Sequence, residues 1–158
     1  MREILFRGKR ADDGEWVYGF YTNNLALKKR DKLEQHFIIE FAWEHYNEYM
    51  GIDDLDTEYY GVIPETVGQY IGLKDKNGKK IFEGDTIDIH QTANGYNQFV
   101  IEYNDYKFSA RYYNQKTKEI GSWYGYNLEE LFEINEFEKR LEVIGTIFDK
   151  EGNDEITD

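Results

Sequence analysis

Cysteine is absent from this 158-residue chain, and its absence removes several kinds of chemistry. Without a thiol the chain forms no disulfide, offers no cysteine nucleophile and supplies no sulfur ligand to zinc. Proline is almost as scarce, since Pro64 is the only one. The 14 glycines, together with asparagine and aspartate, therefore supply nearly all the backbone turns.

Long apolar runs are also missing. No stretch approaches the roughly 18–20 residues of a membrane-spanning helix. Only three apolar residues follow Glu3, whereas the core of a signal peptide needs about 7–15. We therefore expect a soluble cytoplasmic protein that does not associate with membranes.

Positive charge is in deficit. The 32 acidic residues outnumber the 19 basic ones, which gives a net charge of −13. That sign repels phosphate backbones, so we expect no direct binding of nucleic acid. The one basic cluster, at residues 28–32, is interpreted as a solvated turn.

Aromatic residues are abundant, with 14 tyrosines and 10 phenylalanines. Such residues favour strands, and alternating or continuous apolar stretches predict strands at residues 4–7, 16–21, 36–41, 57–63, 67–71, 79–82, 86–89, 99–103, 108–112, 123–126 and 141–148. The last of these is expected to be buried on both sides. Asn127, with Glu130 three residues on, predicts the N-cap of a short helix before it. The expected fold is mainly β and forms a small barrel.

The first two predicted strands form an N-terminal hairpin in which Trp16, Tyr18 and Phe20 share one face. Such a stripe can stack on bases or sugars. It can also pack on the core or on a neighbouring subunit, and we favour packing because aromatic side chains dominate core burial. These three residues are the candidate interface aromatics.

The chain is organised around residues 64–89, which predict a hairpin followed by a further strand. That strand, at residues 86–89, is expected to be half-buried because polar and apolar residues alternate in it. Asn77-Gly78 is typical of a tight primed turn, in which both central residues have positive φ. Glu83-Gly84-Asp85 predicts a second turn, with Asp85 accepting hydrogen bonds from its amides. We expect Asp85 to be structural.

Several pieces of the chain resemble the signature of the YopX family of phage and prophage proteins. The matching pieces are Glu65-Thr66-Val67-Gly68-Gln69-Tyr70, Gly72-Leu73-Lys74-Asp75-Lys76-Asn77-Gly78 and Glu83-Gly84-Asp85, flanked by Trp16-Val17-Tyr18-Gly19 and Leu141-Glu142-Val143-Ile144-Gly145. The signature residues expected to have structural roles are Thr66, Gly68, Tyr70, Gly72, Asp75, Asn77, Gly78, Glu83, Gly84 and Asp85. The resemblance implies an SH3-like barrel and a phage or prophage origin in a bacterial host. It implies no activity or catalytic residue.

We therefore expect one domain over residues 1–148. Its first 62 residues form the hairpin and an insertion near 22–56, and residues 63–148 form the barrel core. The acidic residues 149–158 are expected to be a flexible tail.

The sequence contains only incomplete versions of the motifs that bind phosphate, calcium and zinc. Gly68-x-x-x-Gly72 lacks the Lys-Ser/Thr of a phosphate loop, and Lys80 stands where a calcium loop starting at Asp75 needs glycine. His36, His45 and His90 lie on different elements without zinc-ligand spacing. We expect no metal, no cofactor and no catalytic residue.

Three functions remain open. The first is a non-catalytic module that binds a host or phage protein and self-associates into a homo-oligomer. The second is an acidic inhibitor that mimics nucleic acid and occupies a host or phage nucleic-acid enzyme. The third is a metal-dependent hydrolase that uses Glu83 and Asp85 as paired carboxylates.

Overall fold

A computed structural model describes residues 3–23, 36–41, 57–90, 98–114, 116–121, 126–128 and 140–149. The chain divides into two compact units, each with its own antiparallel sheet. Unit 1 consists of Met1–Leu73 and Lys80–Glu83, and unit 2 consists of Lys74–Lys79 and Gly84–Asp158. The prediction of a mainly β protein is confirmed.

The first sheet has the strand order β4-β3-β2-β1-β5-β6. Its strands are β1 (Phe6–Lys9), β2 (Trp16–Asn23), β3 (His36–Phe41), β4 (Thr57–Gly61), β5 (Gly68–Lys74) and β6 (Lys80–Phe82), with a 3-10 helix at Pro64–Thr66 before β5. The chain after β4 also returns to β1, because Val62 forms a bridge with Arg10 and the Ile63 amide donates to the Lys9 carbonyl at 2.8 Å. The first four strands are therefore strongly curled.

The inner face of this curled sheet holds a small core. Val17, Ile38 and Val62 are buried in it, and the partly buried side chains that pack against them are Phe6, Tyr21, Tyr60 and Val67. Residues of β2 alternate between this face and the outer one, as the pleat requires. The outer face therefore presents the alternate residues of β2, which include Trp16, Tyr18 and Phe20.

The second sheet has the strand order β10-β9-β8-β7-β12, with β11 paired to β9. Its strands are β7 (Asp85–Asp88), β8 (Gln98–Asn104), β9 (Lys107–Asn114), β10 (Glu119–Ile120), β11 (Tyr126–Asn127) and β12 (Glu142–Thr146). Ile87, Val100, Ile101 and Ala110 are fully buried. They form the centre of unit 2.

Two burial predictions are wrong. The last strand is not buried on both sides, because Val143 is buried whereas Glu142 and Ile144 are only half-buried. The strand at residues 86–89 was expected to be half-buried from its alternation, but β7 also buries the polar residue Thr86. Alternation reports which face a residue occupies, whereas tertiary packing decides whether each face is covered.

Several predictions lie outside the described residues. They concern most of the insertion at 22–56, the short helix predicted after Asn127, of which residues from 129 on are not described, and nearly all of the tail at 149–158. Neither sheet closes into a barrel within the described ranges. No helix in the part of the chain that the structure describes has the length and hydropathy needed to cross a bilayer.

Candidate functional site

The outer face of the curled sheet carries a row of aromatic and apolar side chains, here called the aromatic face: Trp16, Tyr18, Phe20, Ile39 and Tyr59. The strand register brings them together, since Phe20 pairs with Ile39 and Ile39 pairs with Tyr59. Directly paired residues project from the same side of a sheet. The rings of Tyr18, Phe20 and Tyr59 are 45%, 52% and 64% exposed, so this face presents three half-exposed rings.

One end of the aromatic face is built on a buried arginine. The Arg7 guanidinium lies 4.4 Å from the ring centre of Trp16 and 5.0 Å from that of Phe82. Its Nη2 donates to the Glu83 carbonyl oxygen at 3.2 Å. Tyr18 also approaches Phe82, with 5.5 Å between ring centres. Trp16 and Tyr18 therefore pack on the sheet, whereas Phe20 and Tyr59 lie at the more open end.

No carboxylate of strands β1 to β4 lies on this face. These strands contain two carboxylates, Glu40 and Glu58, which pair with each other and alternate onto the opposite side from Ile39 and Tyr59. The Tyr60 hydroxyl donates to Glu58 on that side, and this bond raises the pKa of Tyr60. In a chain of net charge −13, the aromatic face combines exposed rings with the basic residues Arg7 and Lys9, which pair with Tyr18 and Trp16.

Sequence reasoning found the β2 half of this face and missed Ile39 and Tyr59. Both lie in predicted strands, so their alternation was visible. The missing information was the pairing of β2, β3 and β4, which joins residues about 20 positions apart along the chain.

The loop at residues 75–79 is held by the side chain of Asp75. Its Oδ1 accepts hydrogen bonds from the amides of Asn77 at 2.8 Å and Lys79 at 2.9 Å. Its Oδ2 accepts one from the amide of Val143 in β12 at 3.2 Å. Because Asp75 is only 6% exposed, these three bonds form where water competes weakly.

The prediction of a primed turn at Asn77-Gly78 is wrong. Gly78 has φ +82°, but Asn77 does not have a positive φ. The Gly78 amide donates to the Asp75 carbonyl at 2.9 Å, and the Asp75 amide donates to the Lys79 carbonyl at 2.8 Å. This pattern is that of a three-residue loop, in which a type I turn precedes a left-handed glycine. The Asp75 carboxylate stabilises that form by binding the amides inside it.

Other signature residues support unit 1. The Thr66 hydroxyl accepts from the Lys9 amide at 2.9 Å and donates to the Ile63 carbonyl at 2.7 Å. A Cβ at Gly68 would lie 2.4 Å from the Glu83 carbonyl oxygen, so a larger residue does not fit there. Tyr70 is buried, and its ring centre lies 5.6 Å from that of Phe82. Gly72 has φ +95°.

The carboxylates proposed for hydrolysis have very different surroundings. Asp85 is fully buried in β7 opposite Thr146, whereas Glu83 is half-buried. Gly84 lies between them with φ +82°, and its amide donates to the Ile101 carbonyl at 2.8 Å. Among the described residues no three His, Asp or Glu side chains are grouped as a metal site. The hydrogen-bonding role expected for the Asp85 carboxylate stays a prediction.

A polar cluster lies where β7, β12 and the 75–79 loop meet. Glu142 Oε2 accepts from Lys76 Nζ at 2.6 Å and lies 2.8 Å from His90 Nε2. The His90 amide donates to Asp88 Oδ1 at 2.7 Å. The bond from Lys76, followed by that from His90, lowers the pKa of Glu142 from its ordinary value. The cluster connects β12, through Glu142, to the 75–79 loop and to the end of β7 at the surface of unit 2.

The hairpin between β8 and β9 has a two-residue loop, Asp105-Tyr106. Both residues have positive φ, of 50° and 65°, and Asn104 pairs with Lys107 on either side of them. The two positive φ angles are those of a primed type I turn. Tyr106 is 96% exposed and Tyr103 is 50% exposed. A primed turn is therefore found here, at residues that sequence reasoning did not single out as functional.

Known proteins give a family but no activity. No curated protein matches the chain. A solved structure, the crystal structure of protein EF1440 from Enterococcus faecalis, is similar over 93% of this chain and 94% of its own, with 18% identity and a TM-score of 0.48. The family model described as YopX protein matches residues 5–152. That match covers nearly the whole sequence, so the chain belongs to the YopX family.

Proposed function

We propose that this protein is a non-catalytic interaction module that binds protein through the aromatic face, either a second copy of itself or another partner. The observation that carries the proposal is the cross-strand row of Phe20, Ile39 and Tyr59. Contiguous exposed apolar patches are uncommon on monomers and mark interaction surfaces.

The composition of the aromatic face supports this proposal. Tyrosine and tryptophan are enriched in the energetic centres of protein interfaces, and charged residues are depleted there. The face contains Trp16, Tyr18 and Tyr59, and Glu40 and Glu58 alternate to the other side. The charged residues of β1 to β4 on this side are the basic Arg7 and Lys9, which pair with Tyr18 and Trp16.

The acidic-mimic hypothesis has less support from the described residues. A mimic of nucleic acid needs free carboxylates segregated on one side. Here carboxylates are found on both units, and several form ion pairs with basic side chains: Glu3 with Lys80, Asp12 and Asp13 with Arg10, Glu102 with Arg111, and Glu142 with Lys76. The hydrolase hypothesis has less support again, because Asp85 is buried.

The finer fold and the biological setting are part of the proposal. We propose that the second sheet, with the strand order β12-β7-β8-β9-β10 and β11 paired to β9, forms an SH3-like core within residues 63–148. A phage or prophage origin and action in the bacterial cytoplasm, as a homo-oligomer and without cofactor, complete the proposal.

Solution mass, measured by light scattering at low and high salt, tests the function. The variant Phe20→Thr/Tyr59→Thr removes two exposed rings while keeping strand-forming residues. Ile120→Thr is the matched control, since Ile120 is exposed on β10 of the second sheet, which belongs to the other unit. We expect a multimer that persists in high salt, that Phe20→Thr/Tyr59→Thr dissociates and that Ile120→Thr leaves intact.

Two results would contradict the proposal. One is a multimer that survives the double substitution. The other is a monomeric wild type that, when immobilised beside the double variant, retains the same proteins as that variant. A monomer whose specific partner is lost only with the double variant supports binding to another protein.

A further inference from the structure

The tip of the β8–β9 hairpin departs from its expected turn chemistry. Primed type I turns favour Asn-Gly or Asp-Gly, because the second central residue has positive φ and glycine adopts it without steric cost. Here that residue is Tyr106, at φ 65°. A bulky residue with positive φ is an outlier that carries strain.

The strain is not offset by packing of the ring. Tyr106 is 96% exposed, so its side chain buries almost no apolar area in the fold. Backbone strain that the fold does not use is a basis for inferring function. Tyr106 is such a case, since its backbone has positive φ and its ring lies in solvent.

The surroundings of the tip favour apolar over electrostatic recognition. Tyr103 is 50% exposed, and its ring meets that of Phe108 edge-on at 5.1 Å between centres. The nearby Glu102 is paired with Arg111 at 2.6 Å. Asp105 and Lys107 flank the tyrosine with opposite charges. The tip is thus nearly neutral within a chain of net charge −13.

We propose that Tyr106 is a binding anchor that inserts its phenol ring into an apolar pocket of a partner protein. Tyrosine is suited to this role because it combines a large apolar ring with a polar end and loses little conformational entropy. The inference rests on the proposed function, that the chain is a protein-binding module, and adds a second contact residue outside the aromatic face.

The size of the tip argues for a pocket on a different protein and against a second copy. A buried aromatic side chain contributes roughly 150–250 Å², whereas a stable dimer needs about 800 Å² from each partner. One ring with part of Tyr103 falls well short of that area. A single ring entering a pocket contributes binding energy out of proportion to its area, as interface anchors do.

Thermal unfolding tests the first half of the inference. Tyr106→Gly relieves the strain, so we expect the melting temperature to rise by about 2–4 °C. Lys118→Gly is the matched control, because Lys118 is an exposed non-glycine residue with φ +58° in another turn, and it should give a similar rise. A melting temperature lowered by Tyr106→Gly would show a structural role and overturn the inference.

Photo-crosslinking tests the second half. The probe is the full chain carrying benzoylphenylalanine at position 106, irradiated in bacterial extract, with the same group at position 118 as the control. We expect a discrete adduct from position 106 alone. Unlabelled wild type and Lys118→Gly should suppress it equally, and Tyr106→Gly should need at least about tenfold more protein, as loss of an interface anchor predicts.

The outcomes separate the anchor from the aromatic face. No specific adduct at 106, equal competition by Tyr106→Gly, or an adduct with twice the mass of the chain each overturns the anchor. If Phe20→Thr/Tyr59→Thr competes as well as wild type while Tyr106→Gly does not, the anchor stands and the proposed role of the aromatic face fails. The reverse result keeps the face and removes the anchor.

Discussion

The two hairpin loops at residues 75–79 and 105–106 both need left-handed backbone conformations, but they place different kinds of residue there. In the first loop, Gly78 takes the left-handed position and the buried Asp75 binds three amides. In the second, a tyrosine occupies a left-handed position and exposes its ring. The residues of the first loop suit its backbone and serve the fold, whereas the exposed tyrosine of the second loop departs from its turn chemistry and is the residue we propose as a binding anchor.

The difference also lies in what each loop is attached to. The 75–79 loop is bound to the last strand through Asp75, whose carboxylate accepts from Val143, and through Lys76, whose amide donates to the Leu141 carbonyl at 2.9 Å. These bonds join parts of unit 2 that lie about 65 residues apart in sequence. The first loop is therefore a structural joint, and substitutions in it should cost far more stability than those at the 105–106 tip.

Asp75→Ala should show the largest effect. It leaves three amides in a poorly hydrated place without their acceptor, and each unsatisfied group costs about 1–3 kcal/mol. Because the loop can relax and partly rehydrate these amides, we expect the free energy of unfolding to fall by about 3–5 kcal/mol in total. Urea unfolding measures the loss. Asp75→Asn keeps an acceptor for the loop amides and should lose clearly less. Equal losses in the two variants would contradict the hydrogen-bonding role of the carboxylate.

Gly78→Val should be the next most damaging change. A Cβ there meets no atom within 4 Å, so the whole cost is conformational. Holding a β-branched residue at positive φ costs about 1–3 kcal/mol. Gly61→Val is the matched control, since Gly61 also has open space but no left-handed φ, and it should unfold like the parent. If both variants are equally stable, the left-handed assignment at Gly78 is wrong.

Asp85→Asn extends the comparison to the turn at residues 83–85. Because Asp85 is fully buried, exchange of its carboxylate for an amide should lower stability by about 1–2 kcal/mol through altered hydrogen bonding without changing any partner binding. Calorimetry of Asp85→Asn beside Asp105→Asn, an exposed turn residue that tolerates the same exchange, checks this. An unchanged melting temperature for Asp85→Asn would argue against a structural role.

Glu142→Gln should show the smallest effect, and the effect should depend on pH. Lys76 and His90 lower the pKa of Glu142 below its ordinary 4.5 in the folded chain. A lowered folded pKa gives stability that is present above about pH 4.5 and is lost as the pH falls through the folded value. The melting temperatures of the two proteins should therefore differ at pH 7 and converge as the pH falls below the lowered pKa of Glu142 in the folded chain. A difference that persists in acid would show that another interaction of Glu142 matters.

Local pattern predicted much of the fold. β3 occupies the residues expected from alternation, and β8 and β9 extend the expected strands by one or two residues at each end. The left-handed Gly78 follows from its turn chemistry. The turn type did not follow, because the deciding group was the Asp75 carboxylate, whose third bond goes to Val143 in a distant strand.

Local pattern likewise predicted one part of the candidate sites, and strand pairing was needed for the other part. Alternation placed Trp16, Tyr18 and Phe20 on one side of β2, since successive side chains of a strand point to opposite faces. The register with β3 and β4 added Ile39 and Tyr59. Tyr106 carried a weak sequence signal, because Asp-Tyr is not a typical hairpin dipeptide and its turn type depends on the pairing of Asn104 with Lys107.

Composition and local chemistry alone account for the β class, the absence of disulfides, the positions of most strands and the glycine of the signature loop. These properties depend on single residues and their close neighbours, whose conformational preferences act over a few positions. Tertiary structure decided the rest: two sheets in two units, the burial of Asp75 and Asp85, and the aromatic face. Strand pairing and burial are long-range properties, because each depends on which distant segments the folded chain brings into contact.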